Sequence, residues 1–206
     1  MARFHVVALL ALGALSAPAL AQPPAPIQPS PDSAQQRHDL RTLASCLARA
    51  RPGWARQTLS HPYLSDAQAY AASNALSGND NCIRGFDVEV TFRTSGLVGS
   101  LAEHFVQAEI GRADPVRLAR TLSALPPLNV SEDFALCLAA RHPAAARALA
   151  LSEPGSDAEM QAVQQIASAV EPCTNQGERL TVDLQSLRAL TSVALYRGIS
   201  TAVASR

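Results

Sequence analysis

Residues 46–56 read CLARARPGWAR, and residues 137–147, which lie 91 positions later, read CLAARHPAAAR. The same offset relates two further matches: SDAQ at 65–68 with SDAE at 156–159, and Cys82 with Cys173. Several matches at one fixed offset are typical of an internal duplication. The sequence therefore predicts two tandem repeats, which cover residues 33–111 and 131–206.

Each repeat is predicted to contain three helices, because its apolar residues recur at helical spacing, as in the stripe of Leu40, Leu43 and Leu47. A linking helix is expected over residues 114–125, which open with an Asp-Pro pair suited to a helix start. The repeats are expected to pack as one domain over residues 33–206, since neither has enough large apolar residues to fold well alone. The predicted fold class is all-α.

Polar residues mark where the helices begin. Ser65 and Ser156 are each followed three residues later by Gln68 and Glu159, which is the pattern of a capping box. The segment Asn129-Val130-Ser131 matches a glycosylation sequon, and we interpret it instead as a turn followed by Ser131 as the cap of the next helix.

Two local features leave alternatives open. Pro52 interrupts the first helix, so this helix either bends there or ends near Ala50 and a new helix begins at the proline. Apolar residues alternate with polar ones over residues 86–92 and again over 180–184. These two segments predict either a short β-ribbon between the repeats or extended loops across the helices.

The four cysteines predict two disulfide bonds, because an even number of cysteines usually forms a disulfide framework in exported chains, and residues 1–21, described below, predict export. Within each repeat the helical segments between the two cysteines are of similar length, so an antiparallel hairpin would bring them together. This favours Cys46–Cys82 and Cys137–Cys173, and pairing between the repeats is the alternative. There is no Cys-x-x-Cys and no paired Cys or His spacing, so neither redox catalysis nor a metal site is predicted.

The first 32 residues are predicted to lie outside the folded domain. Residues 1–21 have a basic start, an apolar core and small residues before position 22, which is typical of a secretory signal peptide cleaved after Ala21. Residues 22–32 contain five prolines and are expected to be a flexible linker. No later segment is apolar enough to predict an integral membrane span.

The composition indicates the compartment and excludes one class of partner. The formal net charge is zero, and the chain has no basic tract, so nucleic acid is not an expected partner. All basic residues are arginine, and alanine is abundant, which is typical of proteins from bacteria with GC-rich genomes. Together with the leader, this predicts a periplasmic or secreted bacterial protein.

Large aromatic residues of the first repeat are the first candidate binding residues. Trp54, Tyr63 and Tyr70 have smaller or non-aromatic counterparts in the second repeat, namely Ala145, Pro154 and Gln161. Tryptophan and tyrosine are favoured at contact surfaces because they combine apolar area with a polar group. The alternative is that these rings fill the core of the first repeat.

Two arginines are the second set of candidates. Arg56 and Arg147 occupy matching positions in the repeats, and they could form equivalent contacts to an anion or a carboxylate. The alternative is a structural role near a helix end, or ion pairs with Asp66 and Asp157, which the repeats also share.

The sequence favours a non-catalytic exported protein that binds a protein partner or a small ligand. No catalytic motif, cofactor motif or metal-ligand pattern is present, so no catalytic residue and no cofactor are predicted. One alternative is an enzyme whose site is assembled from scattered residues; a pocket in which titratable groups cluster with shifted pKa values would favour it. A structural envelope component is a further alternative.

Overall fold

The computed structural model describes residues 31–76, 80–83, 93–174 and 182–204. Over these ranges the chain is α-helical and contains no β-strand, which confirms the all-α prediction. The helices are α1 Pro31–Ala50, α2 Pro52–Ser60, α3 Asp66–Leu76, α4 Asp80–Ile83, α5 Thr94–Glu109, α6 Pro115–Ala124, α7 Val130–Arg141, α8 Pro143–Leu151, α9 Asp157–Ala167, α10 Val170–Cys173 and α11 Leu184–Ala204. A 3₁₀ turn, Ile110–Arg112, follows α5.

Proline separates two pairs of consecutive helices. Pro52 is the first residue of α2, and Pro143 is the first residue of α8. Proline fits this position because a first-turn amide needs no helical hydrogen bond, whereas inside a helix its ring clashes with the preceding turn. The first of the two alternatives for Pro52, a bent helix, is therefore wrong, and a new helix begins there.

The predicted serine caps of α3 and α9 are confirmed. The amide of Gln68 donates to Ser65 Oγ, and that of Glu159 donates to Ser156 Oγ, each at 3.2 Å. The side chains of Gln68 and Glu159 do not accept from the capping residue itself. They accept from the amide one residue earlier, at Leu64 (3.0 Å) and Gly155 (2.6 Å) respectively.

The predicted cap of α7 is wrong by two residues. The capping residue is Asn129, whose Oδ1 accepts from the Glu132 amide at 2.9 Å, and Ser131 lies inside the helix. Both residues are good caps by composition, and the choice depends on the contacts of Asn129 with the rest of the fold. The Asp-Pro start of the linking helix is confirmed, because Asp114 Oδ1 accepts from the Arg117 amide at 2.7 Å.

Other boundaries differ from the sequence predictions. Helix α1 begins at Pro31, so the last two residues of the predicted linker are helical. Residues 86–92 and 180–181 lie outside the described residues, and Leu184, predicted as part of a ribbon, is the first residue of α11. Helices α2 and α8 have matching boundaries 91 positions apart, as do α3 and α9. The two-repeat interpretation itself stays a prediction.

Both predicted disulfides are present. Cys46 bonds to Cys82 with 5.8 Å between their Cα atoms, and Cys137 bonds to Cys173 with 5.7 Å. The second cysteine of each pair lies on a four-residue helix, α4 or α10, that the sequence analysis did not predict. We call residues 31–112 the first half of the chain and residues 130–204 the second half. Each bridge joins the short helix to the first helix of its half, which is α1 for Cys46 and α7 for Cys137.

Helices α5 and α11 form the centre of the molecule. Residues 96–103 of α5 and 187–196 of α11 are all buried, as expected of helices surrounded by other helices. The two helices run in the same direction, since Gly99 faces Ala189 and the ring of Phe105 contacts that of Tyr196 further along both. Apolar residues from both halves of the chain belong to one buried cluster. Among the described helices, none combines the length and apolarity that crossing a bilayer requires.

The contact between α5 and α11 requires a glycine. A Cβ atom at position 99 would lie 2.5 Å from the Cα of Ala189, far inside the contact distance of two carbon atoms. We expect Gly99→Ala to lower the free energy of unfolding by about 1–3 kcal/mol, because the helices must separate to accept the methyl group. Urea denaturation measures this.

Gly53→Ala is the matched control, because nothing lies within 4 Å of a Cβ at that helical position. Alanine should leave stability unchanged or raise it by up to about 1 kcal/mol there. Equal effects of the two substitutions would contradict the close approach of α5 and α11.

Loss of the first disulfide should also be measurable. The Cys46–Cys82 bridge closes a loop with a sequence separation of 36, which corresponds to about 3–4 kcal/mol in the chain-entropy account. We expect the double variant C46A/C82A to lose about that much free energy of unfolding in urea. Unchanged stability would show that the bridge constrains nothing in the unfolded chain.

Candidate functional site

The three predicted aromatic residues have different environments. Trp54 packs partly buried against the core, its indole nitrogen donates to the Ala71 carbonyl at 2.8 Å, and the guanidinium of Arg51 lies over its ring. Tyr70 is 70 % exposed on α3. Tyr63 is buried between the two halves of the chain. These rings therefore do not form one continuous face.

The matching arginines are not brought into a common site. Arg56 donates to Glu109 at 2.8 Å and stacks over the ring of Phe105, so its described ion pair is with α5 and not with Asp66. The hydrogen bond to Glu109 raises the pKa of Arg56. Arg147 is half-buried on α8, and no ion pair with Asp157 occurs among the described residues. No described cavity is lined by both arginines.

A cleft at one end of the molecule is the strongest candidate site. Its volume is about 370 Å³, which lies within the usual range of ligand pockets. The beginnings of α5, α7 and α11, the turn before α3 and the end of α10 surround it. Its lining residues are Tyr63, Leu64, Arg93, Ser95, Val130, Ser131, Asp133, Phe134, Cys173, Thr174, Val182, Ser186 and Leu190.

The cleft has an apolar floor and an apolar rim. Tyr63, Phe134 and Leu190 are buried and form the floor, whereas Leu64 and Val130 at the rim are 56 % and 75 % exposed. Exposed large apolar side chains beside a concave surface are typical of binding sites. Polar lining groups are hydroxyls, one guanidinium and one carboxylate, which can orient a ligand but do not form a catalytic dyad with a histidine among the described lining residues.

Leu64 has an unusual backbone conformation. Its φ is +64°, and it is the one non-glycine residue with positive φ in the described ranges. At the matching position of the second half stands Gly155, with φ +81°. Glycine adopts this conformation at no steric cost, but a side chain costs about 1–2 kcal/mol there. The backbone of the first half is therefore strained at the position where a leucine stands at the rim of the cleft.

Side chains from several elements keep the strained turn at Leu64 in its conformation. Glu132 Oε1 of α7 accepts a hydrogen bond from the Tyr63 backbone amide at 2.8 Å, and the side-chain Nδ2 of Asn129 donates to the Tyr63 carbonyl at 2.6 Å. Gln68 Oε1 accepts a hydrogen bond from the Leu64 backbone amide at 3.0 Å. A strained backbone persists only where its surroundings fix it in this way, and such residues cluster at ligand-binding and catalytic sites.

The Tyr63 side chain is a neutral part of the floor. Burial raises the pKa of its phenol above the usual value, and the nearby carboxylate of Asp183 raises it further. The phenol therefore stays protonated at neutral pH, and its oxygen donates to the Ser95 carbonyl at 3.4 Å, a long hydrogen bond. Because its one proton is donated to Ser95, the hydroxyl can offer a ligand only its oxygen as an acceptor, and the ring can contact an apolar ligand, but the phenol does not serve as a base.

A second cluster of polar groups is buried away from the cleft. This buried ion cluster consists of Glu103, Glu159, Arg37 and Arg188. Arg188 donates to Glu159 at 2.9 Å and to Glu103, and Arg37 donates to the other oxygen of Glu159 at 2.9 Å. Arg41 Nε also lies 3.5 Å from Glu103 at the edge of the cluster, so each buried charge has at least one counter-ion.

The buried ion cluster has little room for a ligand. The cavity beside it measures about 20 Å³, which accommodates about one water molecule. Burial raises the pKa of Glu103, and the guanidinium of Arg188 opposes that rise. The cluster joins α1, α5, α9 and α11, and we interpret it as structural.

Removing one charge of this cluster should destabilise the fold. Glu159→Gln leaves the guanidinium groups of Arg37 and Arg188 buried with too little negative charge, and breaking a buried pair typically costs about 3–5 kcal/mol. Urea denaturation should show a loss of that size. Glu153→Gln is the control, because Glu153 is exposed and should change stability by less than about 1 kcal/mol. Equal effects would contradict the structural role.

Comparisons with known proteins do not assign the chain to a family. No family model matches the chain, no similar curated protein was found, and no similar solved structure was found. In the described part of the chain, no three His, Cys, Asp or Glu side chains are grouped as metal ligands.

Of the residues that line the cleft, only Tyr63 is among the binding candidates predicted from the sequence, whereas Leu64 and Val130 are not. A usable signal was present for Leu64, since the 91-residue offset aligns it with Gly155 directly before the capping serine. A glycine at one copy of a turn indicates a left-handed backbone, which the leucine in the other copy must share. No local signal indicated that Val130 would be exposed.

Proposed function

We propose that this protein is a non-catalytic binding protein whose cleft holds the apolar part of a small ligand against Leu64 and Val130. The observation that carries the proposal is the left-handed backbone of Leu64. Its side chain is more than half exposed, so the strain is not repaid by burial in the core. A ligand that covers this side chain would supply the missing apolar contact.

The concave shape favours a small ligand over a protein partner. Protein interfaces of standard size bury about 800 Å² on each partner and are mostly broad, whereas small-molecule sites are clefts lined by apolar groups with a few polar ones. The cleft matches the second description, with hydroxyls of Ser95, Ser131 and Ser186 beside its apolar floor.

The proposed place of action is the periplasm or the exterior of a bacterial cell. Two disulfides support an oxidising compartment, because cytosolic thiols are kept reduced. The predicted signal peptide over residues 1–21 points to the same compartment. Intact-mass spectrometry of the exported protein tests this, and the expected mass is that of a chain that begins at Gln22, with or without cyclisation of that residue to pyroglutamate.

The variant Leu64→Asn separates a binding role from a structural one. Asparagine adopts the left-handed conformation readily, so it keeps the turn while removing the apolar side chain. With 1-anilinonaphthalene-8-sulfonate as the fluorescent probe, we expect affinity to fall about five- to tenfold, which corresponds to the loss of roughly 1 kcal/mol of apolar contact. The melting temperature should stay the same or rise.

Val116→Asn is the matched control, because Val116 is 68 % exposed on α6 and does not line the cleft. It should leave both probe affinity and stability unchanged. If Leu64→Asn lowers the melting temperature and leaves probe binding unchanged, Leu64 is a structural residue and the proposal is wrong.

A further inference from the structure

Two opposite charges line the cleft without neutralising each other. Arg93 and Asp133 are both exposed lining residues. Neither side chain forms an ion pair or a hydrogen bond with another residue in the described part of the chain. Arg93 directly precedes α5, and Asp133 lies in the first turns of α7, so the charges approach the cleft from separate helices.

The surroundings of Arg93 favour an anion. Arg93 occupies the capping position of α5, and its side chain makes no capping hydrogen bond. The Gly96 amide of the first turn is paired with the Arg93 carbonyl at 2.9 Å. The partial positive charge at a helix start adds to the charge of the guanidinium. A carboxylate beside Arg93 would interact favourably with both, and a guanidinium binds a carboxylate with paired hydrogen bonds.

The surroundings of Asp133 favour a cation. Asp133 lies in the first turn of α7, whose partial positive charge stabilises its carboxylate, but no cationic side chain of the described residues pairs with it. The carboxylate faces a cleft in which the other described lining groups are apolar, hydroxyl or the guanidinium of Arg93. An ammonium group can donate three hydrogen bonds, to Asp133 and to neighbouring hydroxyls such as that of Ser131. A simple fatty acid would satisfy Arg93 and leave Asp133 without a counter-ion, and a simple amine would do the reverse.

We propose that the ligand is a zwitterion with an apolar side chain, that is, a free apolar amino acid or a short peptide with both termini free. Its carboxylate binds Arg93, its ammonium group binds Asp133, and its side chain contacts Leu64 and Val130. This inference rests on the proposed function, because it assigns the ligand class of the same cleft. The cleft volume of about 370 Å³ accommodates such molecules.

Isothermal titration calorimetry with defined probes tests the two charge contacts. The probes are leucine, Leu-Leu, N-acetyl-leucine, leucinamide and N-acetyl-leucinamide. Leucine or Leu-Leu should bind the wild-type protein. Blocking the amine or the carboxylate of the tighter probe should weaken binding about tenfold or more at each end, as expected for the loss of a charge-assisted hydrogen bond.

Variants of the cleft assign each end of the ligand. In Asp133→Asn, acetylating the amine of the probe should no longer weaken its binding, whereas converting its carboxylate to an amide should still do so. Arg93→Gln should show the opposite pattern. Arg120→Gln removes an exposed arginine of α6 that does not line the cleft, and it should behave as the wild type. Both test residues are exposed, so these variants should fold normally.

Failure of this inference can be distinguished from failure of the proposed function. If blocked and free leucine bind equally, or if neither binds while the fluorescent probe still depends on Leu64, the zwitterion assignment is wrong and the binding function stands. If the fluorescent probe is also independent of Leu64 and no leucine derivative binds, both proposals are overturned.

Discussion

Two buried carboxylates, Glu132 and Glu159, are the contacts on which the arrangement of this fold depends. Each is the third residue of its helix, and each accepts a hydrogen bond from the backbone amide of the residue before the cap. Glu132 accepts from Leu128, and Glu159 accepts from Gly155. Each also accepts from an arginine of α11. Burying a carboxylate is costly unless its oxygens are paired, and here both oxygens of both groups are.

These contacts join local helix starts to the centre of the molecule. Arg188 and Arg197 extend from α11 to Glu159 and Glu132, so α11 fixes the positions of α9 and α7 at once. Arg37 adds α1 to the same carboxylate of Glu159. An alanine-rich interior offers little apolar area per contact, so directional hydrogen bonds and disulfides decide which packing is adopted.

The same device shapes the candidate site. The second oxygen of Glu132 accepts a hydrogen bond from the Tyr63 amide. This hydrogen bond fixes the turn that places Leu64 at the rim of the cleft. A residue of the second half thus fixes a strained turn of the first half. This arrangement explains why the leucine keeps a positive φ without glycine, and why the cleft forms where the two halves meet.

Much of the fold could be predicted because its signals are local. Prolines at helix starts, the serines before α3 and α9 and the spacing of the cysteines each act over a few residues or one hairpin. The network around Glu159 could not be predicted, since its partners Arg37 and Arg188 are distant in sequence and look like ordinary surface arginines. The choice of Asn129 over Ser131 failed for the same reason, because its contact with the Tyr63 carbonyl decides it.

Amide hydrogen exchange at Tyr63 and Leu64, measured by NMR in the wild type and in Glu132→Gln, tests directly whether Glu132 holds this turn. Both amides lie in a short turn between helices, where exchange is normally fast. We expect strong protection of both amides in the wild type, and reduced protection of the Tyr63 amide in the variant even where the central helices remain protected. Exchange at the rate of an unstructured loop in the wild type would contradict this expectation, because the turn would then not be held and the rim of the cleft would not be preformed.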